Sequence, residues 1–272
     1  MRHPTTQATT SRPRPPFKTA NRVDHMNAKP EAFSYSGNEL KNFAAAVNWK
    51  AYWSSQIEPY LGQDVLELGA GIGATARALN HRSYRNWLGL EPDKAMCELI
   101  ESDLDQGDLP SSYQIRHGTS TSLNGDERFD TILYIDVLEH IEHDREELER
   151  VTGHLADGGH IVIVAPAHNF LFTSFDKKIG HHRRYDKGLL RAIVPANLYI
   201  RKMHYLDSVG MLASLGNKLI LKSDTPKLAQ IKLWDSVMVR ASRWVDPLTG
   251  HQIGKSIVCI LQKKPDNALT RP

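Results

Sequence analysis

The densest concentration of chemically suggestive residues is Val65-Leu-Glu-Leu-Gly-Ala-Gly-Ile-Gly-Ala74. A short apolar run enters a turn with glycine at 69, 71 and 73, and a helical pattern follows. Glycines there let the backbone turn tightly and approach a ligand without Cβ clashes. The helix after them presents free N–H groups and a positive dipole end. Two ligands suit such a turn: a dinucleotide, or the amino-acid end of S-adenosylmethionine. Gly69, Gly71 and Ala74 also satisfy the G-x-G-x-x-G/A dinucleotide pattern. Glu91, at the end of the next apolar run, serves both, because ribose hydroxyls need an acceptor in either case. Glu67 tilts the choice. A carboxylate two residues before the first glycine can receive a ligand ammonium, whereas it would repel a diphosphate. The chain also lacks any Tyr-x-x-x-Lys, the catalytic pair of short-chain dehydrogenases, which weakens an NAD-type dehydrogenase reading.

Histidines form the second concentration. His140 and His143 stand at the start of a helical stretch, and His181 and His182 lie in Gly180-His-His-Arg-Arg-Tyr185. Imidazole titrates near neutral pH and suits a general base for a hydroxyl acceptor. Arg183 and Arg184 suit an anionic acceptor through bidentate contacts, or brace a surface loop by pairing with Asp176 or Asp186. His140 and His143, with Asp136 and Asp144 near them, have spacing that a cation could use. An exposed polar helix start gives the same spacing, so no metal is expected.

These residues need a scaffold. Short apolar runs at Val65–Leu68, Trp87–Leu90, Tyr113–Ile115, Phe129–Ile135 and Ile161–Val164 alternate with helical stretches at Ala74–Leu79, Asp93–Ile100 and Val137–Leu155. That rhythm predicts an α/β doubly wound sheet of parallel strands buried on both faces. A helical pattern over Asn38–Leu61 precedes it. After Pro166 the rhythm breaks, and 167–187 reads as a long active-site loop. Leu198–Tyr205 and Ser256–Leu261 read as late strands. Between them 208–245 reads as a helical insertion that caps the substrate site or covers the sheet, with Leu228, Ile231, Trp234, Val237, Ala241 and Trp244 on one stripe.

Composition bounds the rest. The 272 residues are 40% hydrophobic and 24% charged, ordinary globular values. Two cysteines, Cys97 and Cys259, are too few for a disulfide framework and fit a reducing, cytoplasmic setting. No apolar run reaches the roughly 18 residues of a transmembrane helix. Residues 1–30 hold six basic groups against one acid, with many Pro and Thr, and read as a disordered basic tail or a transit segment. The remainder holds 28 basic and 30 acidic side chains, a poor balance for a general nucleic-acid binder.

Four segments together resemble the class I S-adenosylmethionine-dependent methyltransferases: residues 65–73, Leu-Gly-Leu-Glu-Pro-Asp at 88–93, Phe-Asp-Thr-Ile-Leu-Tyr-Ile-Asp-Val-Leu-Glu-His-Ile at 129–141, and Leu-Ala-Asp-Gly-Gly-His-Ile-Val-Ile at 155–163. The resemblance covers about 40–206 and implies a domain over 31–272. Its fold would be a seven-stranded, mostly parallel sheet with an antiparallel last strand and the cofactor at the carboxyl ends of the strands. It implies S-adenosyl-L-methionine as cofactor, with Glu67, Gly69, Gly71 and Gly73 at the methionine end. Glu91 would take the ribose, with Pro92 and Asp93 beside the adenosine. Thr119 and Ser120 would lie near the adenine, where the commoner pattern has an acid. Asp136 and Val137 would face the cofactor.

The Gly180–Tyr185 segment resembles a G-H-x-R-R-Y loop of a bacterial subgroup, with His181 as the pattern's histidine. That implies His181, His140 and Tyr185 as catalytic candidates and His182, Arg183 and Arg184 as acceptor contacts. The expected reaction is methyl transfer to a small molecule, at oxygen by preference, on a lipid- or sugar-linked or secondary-metabolite acceptor. Nitrogen or carbon methylation and a non-catalytic cofactor-binding module are the alternatives. Asp136-Val-Leu-Glu139 stands where enzymes of exocyclic base amines carry Asn/Asp-Pro-Pro-Tyr, so no nucleic-acid partner is expected. A homodimer is compatible with this reading.

Overall fold

The computed structural model describes residues 43–104, 107–216 and 228–264. The tail expected over 1–30 lies outside them, as do parts of the inserted region. Seven strands form one sheet: β1 Asp64–Leu68, β2 Asn86–Glu91, β3 Tyr113–His117, β4 Phe129–Ile135, β5 Leu155–Pro166, β6 Leu198–Leu206 and β7 Ser256–Lys263. Their order is β3-β2-β1-β4-β5-β7-β6, and β7 runs antiparallel to both neighbours. The strand order reverses between β1 and β4, which opens a crevice at the carboxyl ends of the strands.

Period-two alternation splits the apolar side chains into two cores. Val65, Trp87, Leu133, Val162 and Val258 point to one face. Leu66, Leu88, Ile132, Ile161 and Ile257 point to the other. On the first face, Trp49, Tyr52 and Trp53 of helix α1 (Val47–Ile57) join that core. Full burial of each such side chain contributes roughly 1.5–3 kcal/mol. On the second face lie Leu148 and Val151 of the helix Asp144–Thr152 and Leu190 of Lys187–Ile193.

The inserted region enters from Asp207 and returns through Lys255, both at the carboxyl edge of the parallel strands. Its described helices are Ser208–Gly216, Leu228–Leu233 and Arg240–Leu248, with a π-helical stretch at Trp234–Val239. Ile231 and Val239 bury themselves in the core that α1 also covers.

The stretch Val137–Leu155 is not one helix. It is a 3-10 turn at Leu138–His140, an extended break at Ile141, the helix Asp144–Thr152, and then the start of β5. Asp136 sits at φ +54, in the left-handed region, and the chain turns sharply there. Asp136 caps no helix; Val137 and His143 hold the N-terminal positions of the two pieces. The helix still begins with Asp144, Glu146 and Glu147, acids that favour a helix N-terminus.

Candidate active site

Strand ends place the cofactor candidates. The turn after β1 holds Gly69, Gly71 and Gly73 at φ +65, +57 and +75. A Cβ on Gly69 would stand 2.7 Å from Val137 Cγ2, so that glycine lets β1 pass close to the turn after β4. A Cβ on Gly71 would meet nothing within 4 Å, so open space lies beside that residue. From the end of β2, Glu91 accepts the Gly71 N–H on Oε2 at 2.7 Å and the Asp93 N–H on Oε1 at 2.9 Å. Each oxygen keeps lone-pair capacity for a ribose hydroxyl. Burial raises the carboxyl of Glu91, opposed by those two N–H bonds.

Glu67 is buried and accepts Trp87 Nε1–H at 3.0 Å. Burial pushes its carboxyl up to about 8, with the Trp87 bond opposing. Without a cationic partner it therefore holds a proton at neutral pH. An ammonium beside it would favour the ionised form.

The adenosine candidates divide. Asp93 Oδ1 accepts the Ala95 N–H and so shapes the start of helix Lys94–Leu104. The Pro92 carbonyl pairs with His117 Nε2 at 2.9 Å. Thr119 is exposed after β3, at the head of a 3-10 turn. Ser120 is buried and donates to Glu147 Oε2 at 2.6 Å, which commits its hydroxyl to the protein interior.

Asp136 reaches solvent at the end of β4, between the β1 turn and the loop after β5. His181, Lys255 and Arg184 act on its carboxylate electrostatically and favour the ionised form. Behind it the structure assembles Glu139, His140 and His181. The rings of His140 and His181 meet edge-on at 4.5 Å. His181 Nδ1 lies 3.0 Å from Asp176 Oδ1, and its Nε2 lies 3.7 Å from Glu139 Oε1. Burial lowers His140 to about 4, helped by the neighbouring histidines. Burial drives Glu139 well above the usual carboxylate range, and Asp136 adds to the rise.

The loop over 167–187 is more ordered than its sequence suggests. Helix Ser174–Lys178 carries a capping box in which Thr173 and Asp176 bond reciprocally. Tyr185 bridges back to Ala167. Asp176 is buried, and burial acts to raise it, but hydrogen bonds from His181 and Arg184 prevail and hold it far below normal. The arginines face inward. Arg184 donates to Asp176 at 2.8 and 3.0 Å, and Arg183 pairs with Asp144 at 2.5 Å. Tyr185 is fully buried, and its hydroxyl donates to Asp144 at 2.7 Å. His182 is exposed, while its N–H ties the loop to the Glu139 carbonyl at 2.8 Å.

Two features escaped sequence reasoning. Glu139 is one, although an acid flanked by Ile135, Val137, Leu138 and Ile141 is a readable signal. The other joins residues remote in sequence: Lys255 Nζ lies 3.7 Å over the Trp234 ring and 3.6 Å from Asp207, which also accepts Trp234 Nε1–H at 2.6 Å.

The comparisons with known proteins agree with this fold. Residues 66–161 match the family model described as a methyltransferase domain. Among curated proteins no sequence relative matches the chain. Among solved structures, a putative sarcosine dimethylglycine methyltransferase from Galdieria sulphuraria superposes with TM-score 0.53 at 18% identity, over 81% of this chain and 84% of that one. Coclaurine N-methyltransferase bound to N-methylheliamine and SAH gives 0.56 at 13% identity, over 80% and 73%. The cyclase SpnF gives 0.57 at 13% identity, over 81% and 82%. These likenesses speak for the fold. The matched domain and the fold together define the class: the chain carries a methyltransferase domain.

Proposed function

We propose that the protein methylates an oxygen of a small-molecule acceptor. The observation that carries this is Asp136, an exposed carboxylate at the end of β4, with His140 four residues on and its ring paired with that of His181. An oxygen nucleophile must shed a proton, and an exposed carboxylate at the end of β4 can take it. A neutral amine needs no such group before attack.

Glu67 and the glycine turn would hold the methionine end, and Glu91 the ribose. Bound there, S-adenosylmethionine supplies an electrophilic methyl group on a positively charged sulfur. The chain's part is to align the acceptor, exclude water and accept the proton; alignment of this kind can be worth ~7–11 kcal/mol. The acceptor oxygen bonds to the methyl carbon as the carbon–sulfur electron pair returns to sulfur. The hydroxyl proton passes to Asp136 and then to solvent. Arg183, Arg184 and Tyr185 act by bracing the loop that carries His181, and exposed His182 is left to meet the acceptor. The inserted helices wall the acceptor site on the Trp234 side.

No described helix is long and apolar enough to cross a membrane. Cys97 and Cys259 are buried free thiols, which suits the cytoplasm. A nucleic-acid substrate and an obligate dimer form no part of this reading.

The test is to incubate the protein with methyl-13C-labelled S-adenosylmethionine and a fractionated small-molecule extract, then read the product by NMR. A methoxy signal is expected. Label on nitrogen or carbon overturns the oxygen assignment, and no labelled product with any fraction favours a cofactor-binding module.

A further inference from the structure

We propose that Glu139, His140 and His181 bind one divalent transition-metal ion beside the methyl-transfer crevice. Each offers one ligand atom, and these atoms all lie within 4.8 Å of one another. They come from two elements, the turn after β4 and the loop after β5. The bond from the His182 N–H to the Glu139 carbonyl clamps those elements together.

Glu139 is the observation that demands an explanation. Its side chain is 0% exposed, and neither carboxylate oxygen has a hydrogen-bond partner. The contact with its own main-chain N–H fails hydrogen-bond geometry. The nearest cationic candidate, His181 Nε2, stands 3.7 Å away, beyond hydrogen-bond reach. Buried carboxylates are almost always satisfied, and an orphan signals a missing water or ion. One of these oxygens, Oε1, lies towards His181 Nε2, and one carboxylate oxygen and one nitrogen of each histidine converge within 4.8 Å, which points to an ion.

His181 is prepared as a ligand. With Nδ1 donating to Asp176 at 3.0 Å, the ring presents the lone pair of Nε2 towards Glu139. A carboxylate behind a histidine is the usual support of a metal-binding imidazole. Asp176 is itself fixed by Arg184, by the Thr173 N–H and by the Thr173 hydroxyl. The ring of His140, packed edge-on against His181, completes the set.

The donor set selects the ion. Two imidazoles and one carboxylate suit zinc, cobalt, iron or manganese better than magnesium or calcium, which favour all-oxygen sites. Three protein ligands leave a coordination position open, as in catalytic rather than structural sites. Asp136, exposed at the end of β4, interacts electrostatically with both His181 and Glu139. An ion there would acidify an acceptor hydroxyl that reached it. That role, though not the site itself, rests on the oxygen-acceptor reading.

The full chain, stripped with chelator and dialysed, is titrated with zinc chloride by calorimetry and with cobalt chloride by visible absorption. We expect one tight equivalent and a cobalt spectrum of a nitrogen–oxygen site of low symmetry. Glu139→Gln and His181→Ala should abolish that equivalent, and Asp176→Asn should weaken it roughly 10–100-fold. S-adenosylhomocysteine binding, measured in parallel, reports that each variant is folded. No uptake by the native chain, or undiminished uptake in both ligand variants, overturns the site. If the ligand variants do not fold, cobalt-induced broadening of the His140 and His181 ring signals in the native chain decides: broadening supports the site, and its absence overturns it. Unchanged oxygen methylation by stripped protein removes the ion's role and leaves the oxygen reading standing. Metal uptake with label delivered only to nitrogen or carbon does the reverse.

Discussion

The main-chain N–H of Gly71 donates to Oε2 of Glu91 at 2.7 Å, joining the turn after β1 to the end of β2. One carboxylate thus shapes the glycine turn, and in the function we propose it also takes the ribose. Glu91→Ala removes both functions. Charged hydrogen bonds contribute about 1.5–3 kcal/mol each, so S-adenosylhomocysteine affinity should fall at least roughly 10-fold. Calorimetric titration measures it, with circular dichroism to show that the sheet survives. Unchanged affinity would remove Glu91 from the site.

Gly69 faces Val137 across the same crevice. Gly69→Ala places a Cβ 2.7 Å from Val137 Cγ2 and forces a non-glycine residue to φ +65. The backbone part alone costs about 1–2 kcal/mol. Affinity for the cofactor should drop, and adding Val137→Ala should restore the steric share only. Full restoration, or none, would show that the close approach is not what the glycine serves.

Glu67 gives a pH signature. Its carboxyl is raised by burial to about 8 in the folded state, so its contribution to stability is complete below its unfolded value and is lost as pH rises towards 8. Over that window the native protein should lose stability relative to Glu67→Gln by about 1.4 kcal/mol per pH unit. Urea denaturation of both proteins at several pH values tests it. Cofactor binding near neutral pH should also release a proton, visible as a buffer-dependent calorimetric heat.

Asp136→Asn keeps the shape of the side chain and tolerates the left-handed backbone. If Asp136 takes the acceptor proton, turnover should fall roughly 10²–10⁴-fold. S-adenosylhomocysteine affinity should change far less. Near-normal turnover across pH would assign the proton to another group.

Tyr185→Phe separates bracing from chemistry. The lost hydroxyl leaves Asp144 with Arg183 as its remaining strong partner. Stability should drop by about 1–3 kcal/mol, read from denaturant midpoints. Turnover of the folded variant should stay near normal; a large loss would return Tyr185 to the catalytic group.

The sequence by itself determined the sheet and the glycine turn after β1. Strands β1, β2 and β4 are apolar runs closed by glycine or acid, and the Glu67–Gly73 pattern is contiguous, so local chemistry sufficed to read both. The mid-chain break at Asp136 was not legible, because a left-handed non-glycine residue leaves no trace in hydrophobic periodicity. Only the tertiary structure decided the fate of the charged side chains. Arg183 and Arg184 could have faced an acceptor, but Asp144 and Asp176 claim them from separate helices. Likewise Glu139, unremarked in its own segment, meets His181 only because the loop after β5 folds back over the end of β4. Pairing of buried charges depends on distances between elements remote in sequence, and those distances exist only once the sheet has formed.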